Sequence, residues 1–335
     1  MKVAIVGGTG AVGLEFLRVL EERQFPVGEL RVFATKSSAE KTVTFRGEKL
    51  RVEELSAVPL QEAELAFFSA GGSVSREFAP LIKKRTIVID NSSAFRMDPG
   101  VPLVVPEVNG GRAREHHGII SNPNCSTIQL VVVLKPIMDA AGLRRVVVAT
   151  YQSVSGTGIE AIEELELGTE EMLSGRKPVP RVYPHRIAFN VFPFVEAFDS
   201  SGYTVEEKKV CLETKKILED ESFSITATAV RVPVKRCHSE AVNIETKKKL
   251  LADEVRRILG SAPSVTVLDK PEAGIYPTPE LAEGKDDVFV GRIREDSSIP
   301  CGIDLWIVSD NLRKGAALNA VQIAELLFST AASKH

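Results

Sequence analysis

Residues 2–6 form a short apolar run that leads into Gly8-Thr9-Gly10-Ala11-Val12-Gly13, and a helical pattern follows through Leu20. No other stretch restricts the fold so tightly. A G-x-G-x-x-G string alone is a weak signal, but between a strand and a helix it has the context its chemistry needs. Glycines permit a tight turn and a close approach of backbone to a pyrophosphate. The helix N-terminus adds unpaired N–H groups and a partial positive charge. Val12, Phe16, Val19 and Leu20 share one helical face, so this helix is expected to pack on the sheet. Gly8, Thr9, Gly10, Ala11, Val12 and Gly13 are therefore expected to line a dinucleotide.

Strand-like runs recur at residues 30–34, 65–69 and 86–90, with shorter extended pieces at 101–105 and 118–121 and a helical segment at 75–84. This alternation predicts an α/β Rossmann-type domain with a doubly wound parallel sheet. The pattern changes after Cys125. A helix is expected over 127–141, then strands rich in β-branched residues at 146–152, 224–234, 241–245 and 303–309. Helical stretches at 159–173 and 205–218 intervene, residues 178–193 read as a proline- and aromatic-rich ordered loop, and 316–328 as a final amphipathic helix. The second domain is expected to be α+β with a mixed sheet.

A chain of 335 residues with 44% hydrophobic residues can fill two ordinary cores. The net charge of −3 supplies no basic field for nucleic acid, and no polybasic run or bilayer-length apolar segment points to a membrane. Four scattered cysteines, with no CxxC pair, argue against a zinc site or a redox pair, so no metal is expected. No secretory signal is apparent, so a reducing cytoplasm is expected.

NAD-binding domains usually carry Asp or Glu at the end of the second strand to hold the ribose 2′-hydroxyl. Here that strand leads into Thr35-Lys36-Ser37-Ser38, and no carboxylate appears before Glu40. Hydroxyls and Lys36 suit a 2′-phosphate, so NADP is expected, with NAD possible.

Cys125 stands between Ser121-Asn122-Pro123-Asn124 and an apolar helix. A helix N-terminus stabilises a thiolate, which attacks aldehydes and acyl phosphates to give covalent intermediates. Asn124 and backbone N–H groups are placed to donate to a developing oxyanion. Such a thiol calls for a proton-handling partner. His335 is terminal, His116 and His117 read as surface loop, and the residues alone leave His185 and His238 as alternatives. Arginine forks match carboxylate and phosphate, and Arg96 and Arg231 lie in otherwise uncharged, structured contexts.

The chain resembles aspartate-β-semialdehyde dehydrogenases from end to end. The resemblance rests on GGTGAVG (7–13), NSSAFRMDPGVPLVVPEVN (91–109), SNPNCST (121–127), ATYQSVSGTG (149–158), ETKKILED (213–220), ATAVRVPV (227–234), HSEAVNIE (238–245) and DNLRKGAALNAVQIAE (310–325). It implies reversible, NADP-dependent reduction of aspartyl phosphate to aspartate semialdehyde through a cysteine thioester, toward lysine, methionine and threonine. It implies Cys125 as nucleophile, His238 as general acid/base and Gln152 as the residue orienting substrate beside the thiol. Arg231 is implied for the substrate carboxylate, Glu213 for its ammonium group, and Arg96 and Lys216, with Asn124 near the thiol, for phosphate. Ser37, Ser38, Ser155, Gly156 and Asn311 are implied to line the cofactor beside residues 10–13. The last helix is implied to rejoin the first domain, giving a cofactor domain of residues 1–126 and 312–335 and a catalytic and dimerisation domain of 127–311. A homodimer acting on small molecules is implied.

Two departures stand out. Ser37 occupies a place where this family often has arginine, and Ser155-Gly156-Thr157-Gly158 replaces the commoner SGAG. The nearest enzyme alternative, N-acetyl-γ-glutamyl-phosphate reductase, binds an acylated amine, and Glu213 argues for a free one. A catalytically silent NADP-binding paralogue would be expected to lose the thiol or the histidine, and both are present.

Overall fold

The computed structural model describes residues 1–36 and 38–328; the expected cofactor contact at Ser37, and His335, lie outside the described residues. The chain divides into two compact units, Met1–Asn124 with Gly315–His335, and Cys125–Lys314. Sequence reading sets the corresponding boundaries after residues 126 and 311.

In the first unit β1 (Lys2–Val6), β2 (Glu29–Ala34), β3 (Thr42–Phe45), β4 (Glu48–Glu54), β5 (Leu65–Phe68), β6 (Ile87–Asp90) and β7 (Ile119–Ser121) form one sheet, ordered β3-β4-β2-β1-β5-β6-β7. Every neighbouring pair is parallel except the β3–β4 hairpin. Val3 and Ile5 of β1 enter one apolar cluster, Ala4 and Val6 another. Both faces are covered, which is why these strands read as continuous apolar runs. The first cluster includes Phe16 and Leu20 of the Ala11–Glu22 helix and Val321 and Ile323 of the Leu318–Phe328 helix. The second includes Ala79 and Ile82 of the Gly72–Ile82 helix.

The expected Rossmann-type sheet is present, with two local differences. The β3–β4 hairpin escapes sequence reading because its turn is Arg46-Gly47, with φ of 49° and 79°. Two positive φ values mark a type I′ turn, usually written Asn-Gly or Asp-Gly. Arg46 is held there by its guanidinium, which donates to the carbonyls of Val27 and Phe25. Residues 101–105 form no strand; they contribute only an isolated bridge from Leu103 to Ser121.

The second unit carries a mixed sheet ordered β11-β12-β13-β10-β8-β9, built from β8 (Leu143–Gln152), β9 (Ser224–Arg231), β10 (His238–Thr246), β11 (Val265–Val267), β12 (Val288–Asp296) and β13 (Gly302–Ser309). Val146, Val148, Thr150 and Gln152 alternate on the buried face of β8. The Cys125–Ala141, Val205–Leu218 and Ala252–Gly260 helices pack against the sheet's strands and one another. The opposite face carries half-buried Val147, Ala149, Ala241 and Trp306 and exposed Tyr151, whose ring lies 5.3 Å from that of Trp306. Sequence reading misses β12. A register shift between Gly291 and Arg294, with Arg292 at φ 54°, breaks the strand's period of two. Among the described residues no helix is long and apolar enough to cross a membrane.

Candidate active site

The glycine-rich turn sits between β1 and the Ala11–Glu22 helix. A Cβ at Gly8 would meet Val32 Cγ1 at 2.2 Å, and one at Gly13 would meet the Gly7 carbonyl oxygen at 2.2 Å. Those glycines seat the turn on the sheet and the helix on the turn. Gly10 caps the helix with no side-chain hydrogen bond to the first turn, and only the Gly7 oxygen lies within 4 Å of a Cβ built there. Thr9, Ala11 and Val12 complete the turn and first helical positions. This cradle fits a dinucleotide pyrophosphate, whose oxygens suit the helix's first N–H groups. After β2, Lys36 is exposed and Ser38 half-buried, and the first carboxylate, Glu40, pairs with Arg51 at 3.1 Å.

Arg96 is buried in the same unit. Its Nε donates to the Asn122 carbonyl at 3.0 Å and its Nη2 to the Asn91 carbonyl at 2.8 Å, which fixes the plane of the fork. Asn122 is wholly buried, donating to Asn91 Oδ1 and the Ala316 carbonyl and accepting from Asn319. Asn124 is also buried and directly precedes the thiol in the chain. The bracing by Asn91, Asn122 and Asn319 was not singled out from sequence, although the first two lie inside the quoted motifs.

In the second unit, Cys125 is the first residue of the Cys125–Ala141 helix and is half-buried. Gly142, at φ 68°, ends that helix and turns the chain into β8. A 17-residue helix rises roughly 25 Å, and the ten residues of β8 extend roughly 33 Å back along it. The helix start therefore returns to the end of β8 where Gln152 lies. Gln152 is in register with Arg231 at the end of β9, and His238, opening β10, pairs with Ser309 at the end of β13. One end of the sheet thus gathers Cys125, Gln152, Arg231, His238 and, just past β13, Asn311.

His238 is fully buried. Its Nδ1 accepts from the Ser153 backbone N–H at 3.0 Å and lies 3.0 Å from Ser153 Oγ, while Nε2 has no hydrogen-bond partner among the described residues. Burial, then the charge of Arg231, pushes its pKa down to about 3. Asn311 Oδ1 accepts from Ser153 Oγ, Ser155 Oγ and the Cys237 N–H, tying three segments together. Ser155 and Asn311, expected to line the cofactor, are thus engaged with the histidine's surroundings. Cys237 holds φ 73°, a strained value for a non-glycine residue that turns the chain into His238.

Arg231 is buried, and Nη1 donates to the Ser153 carbonyl at 2.6 Å. Its guanidinium lies 6.0 Å from the Tyr183 ring centroid. Among the described residues it makes no ion pair, which is unusual for a buried guanidinium and suits an anion-binding role. A Cβ at Gly156 would lie 3.3 Å from both Arg231 Nη1 and His238 Nε2, so Gly156 leaves open the space these groups share.

The Val205–Leu218 helix starts with a capping box between Thr204 and Glu207. It presents Glu206, Glu213 and Lys216. Glu206 and Glu213 are two turns apart and Lys216 one turn further, all along one face. Both glutamates are buried, and Lys216 is half-buried. Glu206 Oε1 accepts from Gln152 Nε2 at 3.0 Å, and Thr150 Oγ1 accepts from the same nitrogen at 3.2 Å. Those bonds use the amide nitrogen and leave Gln152 Oε1 as the outward acceptor. Sequence reading missed Ser153 and Glu206; the available signals were adjacency to Gln152 and the two-turn spacing from Glu213. Behind them Glu240 is fully buried. Burial drives its pKa well above the usual carboxylate range, with Gln129 opposing the shift and the charge of Glu206 adding to it.

Residues that do not join this set are also clear. His185 is exposed, its ring edge-on to Phe192 at 6.2 Å, whereas His238 is fully buried. Cys211 is pushed up to about 11, chiefly by burial, and burial raises Cys237 still further. Among the described residues no group of three or more His, Cys, Asp or Glu is arranged to hold a metal ion.

Two family models cover most of the chain: "Semialdehyde dehydrogenase, NAD binding domain" over residues 2–116 and "Semialdehyde dehydrogenase, dimerisation domain" over residues 134–314. The aspartate-semialdehyde dehydrogenase of Legionella pneumophila is 55% identical over 331 residues, 98% of this chain and 95% of its own. That of Aquifex aeolicus is 53% identical over 331 residues, 97% of each chain. A solved structure of aspartate semialdehyde dehydrogenase II from Vibrio cholerae, complexed with ASA, superposes with a TM-score of 0.95 at 46% identity, covering 98% of both chains. With a nicotinamide-type cradle in one unit and a thiol, histidine and unpaired arginine at one sheet end in the other, the chain belongs to the aspartate-semialdehyde dehydrogenase family.

Proposed function

We propose that this enzyme reduces L-4-aspartyl phosphate to L-aspartate 4-semialdehyde and phosphate, reversibly, with NADPH, through an acyl thioester on Cys125, as a step toward lysine, methionine and threonine. The observation that carries the reading is Arg231, a buried guanidinium with no ion pair among the described residues, beside His238 Nε2 over Gly156. Arg231 holds the substrate α-carboxylate and Glu213 its ammonium group. Lys216 and Arg96, with Asn124, hold the phosphate. Cys125 attacks the acyl carbon and expels phosphate, Gln152 orients the acyl group through Oε1, and His238 serves the reacting oxygen. The bound cofactor supplies the hydride. Residues 8–13 hold its pyrophosphate, while Ser155, Gly156 and Asn311 shape the nicotinamide end.

NADP is favoured by exposed Lys36 and by Ser38 after β2, with the first carboxylate there committed to Arg51. We also propose a homodimer in which the sheet face bearing Tyr151, Ala241 and Trp306 meets its copy. That face carries exposed Tyr151 and half-buried Ala149 and Ala241, apolar and aromatic surface of the kind that obligate interfaces bury. Its four cysteines, none in a disulfide, suit the cytosol.

A phosphate-dependent assay of NADP and NAD reduction with aspartate semialdehyde tests substrate, acyl acceptor and cofactor together. Reduction that proceeds without phosphate, or faster with NAD, would displace the corresponding part of this reading.

A further inference from the structure

We propose that Asp310 is a positioning residue for the reaction: with Asn311 it clamps Arg236 and Cys237, so that the strained Cys237 backbone aims His238 into the site. This deepens the proposed function and rests on it for the chemistry that His238 performs.

Cys237 has φ 73°. That is the left-handed region, where a Cβ crowds the neighbouring carbonyl oxygen. A non-glycine residue stays there only when its surroundings over-determine it. The place of the strain is specific. Residues 232–236 leave β9 as a loop, β10 opens at His238, and Cys237 makes the turn between them. Relaxation of Cys237 would therefore swing the histidine that follows it.

Two adjacent side chains just past β13 supply the constraint. Asp310 grips the residue before the strained one: Arg236 Nε lies 2.9 Å from Oδ1 and 2.7 Å from Oδ2. Asn311 grips the strained residue itself, its Oδ1 accepting from the Cys237 N–H at 2.9 Å. Neither side chain can follow if Cys237 moves. Asp310 is fully buried, and its carboxylate also accepts from the backbone N–H groups of Gly284 at 2.7 Å and Leu312 at 3.0 Å. Asn311 is held by Ser153 Oγ and Ser155 Oγ. Burying a carboxylate offsets much of the attraction it gains from a cation, so stability alone explains the Asp310–Arg236 pair poorly.

The clamp closes on the surroundings of His238. Its strand partner is Ser309, directly before Asp310. The loop after β9 is tied to the 153–156 turn through the Val154 N–H to the Val234 carbonyl at 2.9 Å and the Ser155 N–H to the Lys235 carbonyl at 3.1 Å. That turn carries the Ser153 N–H, which His238 Nδ1 meets at 3.0 Å. The Cys237 side chain is packed in a buried cluster with Ala282, Phe289 and Val308. Position at His238 is thus set by Asp310 from one side of the turn and by Ser153 from the other.

Steady-state kinetics on the full-length protein test this. Asp310→Asn keeps the shape and removes the charge that holds Arg236. Its kcat is expected to fall roughly 10–100-fold, the effect of about 1 Å of displacement at a reacting group. KM for aspartyl phosphate should change by less than about threefold, because the loss falls on the transition state. Glycine adopts φ 73° without strain. In a Cys237→Gly background the same Asp310→Asn change is therefore expected to cost less than about threefold in kcat. Equal losses in the two backgrounds, or an undiminished kcat in Asp310→Asn alone, would overturn the proposal. Arg236→Gln cuts the same pair while leaving Asp310 its backbone donors, and it should show the same loss and the same rescue; it decides the matter if Asp310→Asn does not fold. A crystal structure of Arg236→Gln reads the geometry without turnover. His238 Nδ1 is expected to leave hydrogen-bond distance of the Ser153 N–H, and an unmoved His238 would also overturn the proposal. Absence of turnover in the wild-type enzyme with aspartyl phosphate would sink the reaction assignment, while the crystal structure still decides the clamp.

Discussion

Gly156 faces His238 so closely that a methyl group on its α-carbon would lie 3.3 Å from Nε2, and as near to Nη1 of Arg231. The missing side chain keeps the histidine's outward nitrogen and the unpaired guanidinium open to the same ligand. Gly156→Ala is expected to cut kcat/KM by roughly 10–100-fold, because displacement of about 1 Å at a reacting group has that effect. The φ of Gly156 is outside the left-handed region, so the fold should survive. Steady-state kinetics beside a thermal melt check this; unchanged kinetics would show that the space is not used.

Arg231→Leu should chiefly raise KM for the aspartyl substrate. A charge-assisted bond to a carboxylate is worth about 1.5–3 kcal/mol, or roughly a 10–100-fold rise. The variant also removes a buried charge that has no ion pair, so its melting temperature should hold or rise despite loss of the bond to the Ser153 carbonyl. An unchanged KM would remove Arg231 from carboxylate binding.

Cys125→Ala should abolish turnover and leave NADPH affinity within about twofold, since the nucleophile contributes chemistry and not cofactor contacts. Fluorescence titration with NADPH and a single-turnover assay read the two separately. Measurable turnover would rule out a thioester route.

Glu240 gives a pH prediction. Burial raises its folded-state pKa well above the ordinary value of 4.5. Between those two values the unfolded chain has lost the proton and the folded chain keeps it, so this group makes stability fall as pH rises through the window. Glu240→Gln stays neutral throughout. Its melting temperature should exceed that of wild type near pH 8, and the gap should close below about pH 4.5, where both forms of the glutamate are protonated. Parallel melting curves across that range would place an ionised carboxylate at Glu240.

Ser38→Asp should shift cofactor choice toward NAD. A carboxylate after β2 repels a 2′-phosphate and accepts from a 2′-hydroxyl. The ratio of kcat/KM for NADP over NAD should drop by about tenfold or more, the effect of a few kcal/mol of like-charge juxtaposition. No change in the ratio would place the 2′-phosphate elsewhere.

Legibility in the sequence followed locality. The turn at residues 8–13 and the apolar runs of β1, β5 and β6 could be read because each depends on neighbours within a few positions. The Arg46-Gly47 hairpin was hidden because its unusual turn residue is held by the distant carbonyls of Phe25 and Val27. β12 was hidden because a bulge at Arg292 breaks its alternation. Cys125, Arg231 and His238 were nameable through motifs that cover much of the chain. Glu206 and Ser153 were not, because their importance lies in which atom of Gln152 or His238 they engage.

The sequence by itself determined the two-part architecture and the dinucleotide turn and pointed to Cys125, since backbone sterics, side-chain periodicity and motif order are written along the chain. Tertiary structure buried His238 at the end of the sheet and left His185 exposed, and it showed Arg231 buried with no ion pair among the described residues. Those properties arise from contacts between β8, β9, β10 and β13, whose residues meet only when the sheet forms. Burial then removes the water that would otherwise satisfy their charges and hydrogen bonds, so the partner each group finds there, or lacks, fixes its chemical state.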